Sequence, residues 1–163
     1  MWPELRCRVA DNGGMSTPYL LQPLPSAEAD RLRAGSGRRM IADSKPGFPC
    51  RECQHDAEVG DAMLLVSYDP FDGDSAYRCA SPVFIHEQPC GGPTGEPAIT
   101  SQHTVRQLSV RAFDDEFMMI DASLIDGGDL EAEIGRHFTN DAAEVLHVHN
   151  SPRGCWSVTV TRV

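Results

Sequence analysis

Two imidazoles spaced two residues apart on a strand point to the same side, so together they can reach one metal ion or one substrate group. His147-Val148-His149 is such a pair, followed directly by Asn150. The same spacing also serves two half-buried histidines that bond only to backbone and carboxylate neighbours. A second element with chemistry in it is Cys50-Arg51-Glu52-Cys53, a C-x-x-C. As zinc ligands these thiols would need a second pair of comparable spacing. His86-x-x-x-Cys90, Cys79 and Cys155 are the candidates, and none repeats C-x-x-C. As a redox pair the motif should follow a strand and open a helix. Here it follows Gly47-Phe48-Pro49, although Pro49 could begin a helical turn that lowers the Cys50 thiol pKa. The expectation from spacing is two ordinary thiols in a tight loop.

Other catalytic signatures are missing: there is no G-x-G-x-x-G, P-loop, H-E-x-x-H, G-x-S-x-G or EF-hand loop. Asp114-Asp115-Glu116 reads as a solvated hairpin turn, with Arg111 three residues earlier either clamping an anion or pairing with Asp114. Met118 and Met119 read as core residues on alternating faces.

The elements that must position these residues follow from the hydrophobic pattern. Residues 63–68, 82–87, 105–113, 117–125, 144–150 and 155–163 are β-rich runs bounded by turn residues. Ser26 offers an N-cap to a short helix that ends at Gly35-Ser36-Gly37. Asp129 caps a better helix, with Leu130, Ile134 and Phe138 in one apolar stripe. Ser151-Pro152-Arg153-Gly154 has the proline and glycine of a type I turn. A direct hairpin across it pairs His149 with Trp156, His147 with Val158 and Val145 with Val160. The two histidines then share a face with Trp156, Val158 and Val160. The fold class expected is α+β: one domain over residues 19–163, a largely antiparallel sheet of about six strands with one or two helices packed on it. Residues 1–18 read as an N-terminal extension, with Met15 as an alternative start.

Composition sets the outer limits. The 163 residues carry a formal charge of -10, which argues against a nucleic-acid binder. The charge is uneven: Arg31 to Arg51 holds six basic residues against Asp43 alone. Thirteen of the fourteen basic residues are arginine, the side chain suited to fixed carboxylate or phosphate contacts. The longest apolar run, Ala62 to Val66, is far short of the ~20 residues of a membrane helix. The opening Met1-Trp2-Pro3-Glu4-Leu5-Arg6 lacks the apolar region of a signal peptide. A cytoplasmic protein without membrane contact is expected, with its six cysteines unpaired.

Four blocks in order resemble one family. They are Pro46-Gly47-Phe48-Pro49-Cys50-Arg51 with Asp56 to Gly60; Ala76-Tyr77-Arg78 with Pro82-Val83-Phe84-Ile85; Leu108-Ser109-Val110-Arg111-Ala112-Phe113-Asp114; and Leu146-His147-Val148-His149-Asn150 running to Gly154-Cys155. Together they resemble the domain-of-unknown-function 1203 family of small bacterial proteins. The resemblance implies a one-domain bacterial protein and singles out Cys50, Arg51, Arg78, Arg111, His147, His149, Asn150 and Cys155. It does not imply Cys and His at positions 53 and 86, and so implies no four-ligand zinc site.

The expected function is a small-molecule or anion-binding domain. Its pocket would be lined by His147, His149, Asn150 and Trp156 together with Arg51, Arg78 and Arg111, and its partner would be a small anionic ligand. One alternative is an enzyme using Cys50, His147 or His149 as its catalytic group. The other is a zinc or iron protein with His147, His149 and cysteines as ligands.

Overall fold

The computed structural model describes residues 18–163; residues 1–17, which hold most of the expected extension and Met15, lie outside the described residues. The elements follow in the order β1 (Tyr19–Gln22), α1 (Ser26–Arg33), β2 (Arg38–Ile41), β3 (Ala62–Tyr68), β4 (Ser81–His86), α2 (Ser101–Thr104), β5 (Gln107–Phe113), β6 (Met119–Asp126), α3 (Leu130–His137), β7 (Val145–Asn150) and β8 (Trp156–Arg162). The class is α+β, and every strand pair is antiparallel. The strands form two sheets, one of five in the order β1-β8-β7-β5-β6 and one of three in the order β2-β3-β4.

The six expected strands all form, and two short ones join them. β1 is stopped by Pro23 and adds itself to the open edge of β8. The other, β2, reads Arg-Arg-Met-Ile, without period-two alternation, because it is an exposed edge strand that uses charge to blunt its free side. Both helices expected from sequence form, but neither receives a side-chain cap: Pro25 precedes α1 with Ser26 already helical, and Asp129 sits in a single 3-10 turn before α3.

Leu130, Ile134 and Phe138 lie flat on one face of the larger sheet, against Leu108, Val110, Leu146, Val148, Val158 and Val160. Each such buried side chain is worth about 1.5–3 kcal/mol relative to exposure. A second apolar layer, Leu24, Ala29, Leu64, Val66, Val83 and Ile85, joins α1 and the smaller sheet to Trp156.

The β7–β8 hairpin departs from a direct register, and the departure decides which residues accompany the histidines. Near the turn the expected pairing holds: the Asn150 N–H donates to the Cys155 carbonyl at 2.9 Å and His149 faces Trp156. The next pair is Val148 with Val158, leaving Ser157 as an extra residue on β8. Because side chains alternate, one inserted residue exchanges the faces of everything beyond it. Val158 and Val160 therefore lie under α3 with Leu146 and Val148, and the residues facing His147 and Val145 are Thr159 and Thr161.

Candidate metal centre

The C-x-x-C sits at the tip of a tight loop. Pro49 and Asp56 form an antiparallel bridge, and the Cys50 N–H donates to the His55 carbonyl at 2.9 Å. Gln54 takes the left-handed conformation (φ 62) and donates its N–H to the Cys50 carbonyl at 3.0 Å. The loop is laid against the end of β4 by a parallel bridge of Cys50 with Phe84, in which the Arg51 N–H donates to the Phe84 carbonyl at 2.9 Å. His86 ends β4, and Cys90 follows four residues later, just before Gly91 and Gly92 with φ of 76° and 81°. A left-handed pair of this kind turns the chain back where residues with a Cβ would be strained.

These two segments bring the donor atoms of Cys50, Cys53, His86 and Cys90 within 4.8 Å of one another. The Sγ atoms of Cys50 and Cys90 are 3.9 Å apart, and Cys53 Sγ lies 3.8 Å from His86 Nδ1. A tetrahedral zinc with bonds of about 2.3 Å to sulfur and 2.0–2.1 Å to nitrogen has S–S edges of about 3.8 Å and S–N edges of about 3.5 Å. These two donor–donor distances are thus close to edges of one coordination tetrahedron. His86 Nε2 lies 3.7 Å from Asp61 Oδ2, so a carboxylate stands near the ring nitrogen turned away from the cysteines.

The surroundings suit a metal and its charge. Ala42, Phe48, Ala57 and Met63 pack behind Cys50 and Cys53 and keep water from the back of the cluster. Cys90 Sγ is 3.1 Å from Glu52 Oε2, and that carboxylate accepts a hydrogen bond from Arg33. Burial pushes the Glu52 carboxyl up. Hydrogen bonds from Cys53 and Cys90 favour the Cys50 thiolate and pull its pKa down, while the neighbouring Cys50 pushes Cys53 up. The same sulfurs, Cys50 first, raise His86 to about 10.

The two thiols lie in a tight loop, and they are not alone there: His86 and Cys90 stand beside them, although their spacing differs from C-x-x-C, because the loop and the end of β4 are joined by backbone pairing. Among the described residues this is the cluster that can hold a metal, and His147 and His149 are outside it. The two imidazole centroids are 6.4 Å apart, and His147 packs on Phe71 at 4.6 Å and Phe113 at 5.1 Å.

The chain belongs to the family described as Protein of unknown function (DUF1203), whose model matches residues 47–162. No curated protein and no solved structure matches it. The matched span covers the four-residue cluster and every residue singled out in the sequence, so membership links both regions and assigns an activity to neither.

Within that span the selected residues are dispersed. Arg51 is 1% exposed, and its guanidinium donates to Gln102 Oε1 at 2.7 Å and Ser157 Oγ at 3.1 Å. Burial brings it down to about 10. Arg78 is half exposed and paired with Asp69 at 2.5 Å. Arg111 stands across from His147 on β5 and donates to Ser109 at 3.4 Å, without the expected pairing to Asp114. His149 Nδ1 is 2.9 Å from the Gly154 carbonyl. Trp156 donates to Thr159 at 3.1 Å, and Asn150 Oδ1 is buried without a partner. Met118 is exposed, in contrast to the expected core position.

His147 lines a cavity of about 300 Å³, where the five-stranded sheet meets the loop after β3. Its walls include Asp72, Asp114, Asp115 and Glu144, and none of Arg51, Arg78 or Arg111. Polar residues to which sequence reasoning gave no role meet at the base of the 49–56 loop: Asp56 is clamped by Arg106 at 2.5 and 2.8 Å, and Gln102 and His103 are buried on α2. Burial raises the Asp56 carboxyl and the Arg106 fork more than offsets this, so it stays below the usual range. No motif carries them, since Asp56 lies about fifty residues from Gln102, His103 and Arg106 in the chain.

Proposed function

We propose that this protein binds one zinc ion through Cys50, Cys53, His86 and Cys90, in a closed site that ties the 49–56 loop to the end of β4. The observation that carries the reading is the convergence of three sulfurs and one imidazole within 4.8 Å from segments more than thirty residues apart. A thiolate-rich, tetrahedral donor set selects zinc over hard cations. Four protein ligands leave no open position for water or substrate, which is the signature of a structural rather than a catalytic zinc. Cys50 is fully buried, so its environment favours ligation over the role of catalytic nucleophile.

Elemental analysis by inductively coupled plasma mass spectrometry on untagged protein tests the reading. One equivalent of zinc is expected, falling to background in Cys50→Ser and Cys90→Ser and unchanged in Cys79→Ser. Replacement by cobalt should give the visible bands of a tetrahedral thiolate site. Protein with no metal after anaerobic purification, and no cobalt uptake, overturns it.

A second reading, a small-molecule site on the His147 side of the larger sheet, has separate support. His147 Nδ1 and Arg51 Nε are buried polar atoms without a protein partner, and such atoms point to a bound polar group. Titration calorimetry with phosphate and dicarboxylates at pH 5.5 and 7.5 tests its anion form, and silence at both values removes it.

A further inference from the structure

We propose that the cavity lined by His147 binds a small aliphatic diamine or similar organic dication, with its ammonium groups on Asp72, Asp115 and Glu144 and a donated hydrogen bond to the His147 imidazole. The site shares no residue with the metal cluster and stands or falls independently of it.

Three observations carry this. First, the charge is one-sided. Asp72 comes from the loop after β3, Asp114 and Asp115 from the β5–β6 turn, and Glu144 from the residue before β7. None of the four takes part in an ion pair among the described residues, although arginines pair with acids elsewhere on the surface. Asp114 accepts the Glu116 and Met118 N–H groups at 3.0 and 2.8 Å, leaving Asp72, Asp115 and Glu144 exposed and without a cation. Arg111 is turned to Ser109, and Arg78, which reaches the Gly73 carbonyl at 3.5 Å, is paired with Asp69; neither guanidinium is in the lining.

Second, the cavity contains a buried acceptor. His147 is 1% exposed and its Nδ1 has no partner. Burial, with His149 and Arg111 nearby, pushes it down to about 3, so at neutral pH the ring is uncharged and carries one nitrogen able to accept. A neutral imidazole beside carboxylates takes an ammonium donor; it offers little to an anion.

Third, the cavity is too large and too apolar for a bare ion. Its volume is at the lower end for organic ligands, and Pro70, Phe117 and Val145 form part of the wall beside Thr159, Thr161 and Gln22. Calcium or magnesium would need six or more oxygen ligands close together. A methylene chain between two ammonium groups instead matches a wall that combines apolar side chains with carboxylates from three different loops.

Isothermal titration calorimetry on the full chain at low salt, with 1,4-diaminobutane as probe, tests the assignment. Saturable one-to-one binding is expected, weaker for n-butylamine and undetectable for succinate. Asp72→Asn, Asp115→Asn and Glu144→Gln, all at exposed positions that leave folding intact, should each weaken binding about three- to fivefold. Val145→Trp, which fills the cavity, should abolish it, while Glu131→Gln on the exposed side of α3 should leave it unchanged. Absence of binding by the diamine overturns the proposal. So does diamine binding that is insensitive to the three carboxylate variants, or magnesium binding that displaces the diamine at equal concentration.

Discussion

The Sγ atoms of Cys50 and Cys90, forty residues apart in the chain, lie 3.9 Å from each other. No disulfide joins them, and five cysteines among the described residues are free. That distance is what two thiolates adopt on one tetrahedral zinc, the ion proposed above to tie the buried 49–56 loop to the end of β4.

Removing a ligand should therefore cost stability as well as metal. Cys90→Ser is expected to lose zinc and about 3 kcal/mol or more, the linkage of a ligand present at a hundredfold excess over its Kd. Denaturation in urea with and without chelator gives the measurement. Equal midpoints for wild-type protein in the two conditions would separate the metal from folding.

Acid should destabilise the fold through its buried imidazoles. Burial lowers His103 to about 4, His147 to about 3 and His149 to about 4. Their ordinary value is near 6.5, so between about pH 6.5 and 4 the unfolded chain binds protons that the folded chain refuses. Stability is then complete above pH 6.5 and lost as pH falls, by several kcal/mol in total at pH 4, on the order of 1–3 for each residue. Urea midpoints at pH 7.5, 5.5 and 4.5 should decline in sequence; a flat profile contradicts the burial of these rings as neutral groups.

His147→Phe separates packing from ligand recognition. The ring already packs between Phe71 and Phe113, so phenylalanine should fit, keep or slightly raise stability at pH 7, and flatten the acid limb above. Diamine affinity should nonetheless fall, because the accepting nitrogen is gone. Unchanged affinity in a folded variant would remove His147 from the site.

Arg51 and Gln102 should behave as a coupled pair. Gln102→Leu removes the acceptor of a fully buried guanidinium and is expected to cost about 1–3 kcal/mol. Arg51→Met alone leaves Gln102 Oε1 and Ser157 Oγ short of a donor and should cost a similar amount. The double variant should be less destabilised than the sum of the two. Calorimetric melting of the four proteins measures the coupling, and strict additivity would contradict it.

Gly127 cannot accept a side chain. A Cβ there would stand 1.9 Å from the His103 carbonyl oxygen, in a backbone contact where the Gly127 N–H donates to Arg106 at 2.8 Å. Gly127→Ala should cost more than about 3 kcal/mol, a drop of some 6–12 °C in melting temperature for a chain of this size. A shift below 2 °C would show that the α2 turn gives way freely.

Much of the architecture is dictated locally. β-rich runs bounded by turn residues mark β3 to β8, the stripe of Leu130, Ile134 and Phe138 marks α3, and Ser151 to Gly154 marks the final turn, because each depends on residues near in sequence. The edge strand β2 is not so marked, since its pairing comes from β3 and not from its own residues. The acidic cavity could not be read from any motif either, because its carboxylates come from three loops that meet only when the sheets pack.

The sequence by itself determined that His147 and His149 share a strand face and that Cys50 and Cys53 share a loop. Two events at longer range decided the rest. One extra residue at Ser157 exchanged valines for threonines beside His147, an insertion that alternation cannot foresee. Backbone pairing of Cys50 with Phe84 carried the C-x-x-C to His86 and Cys90. Spacing along the chain could not reveal that meeting, because coordination geometry is set by distances in space, and those follow from which segments the sheet brings together.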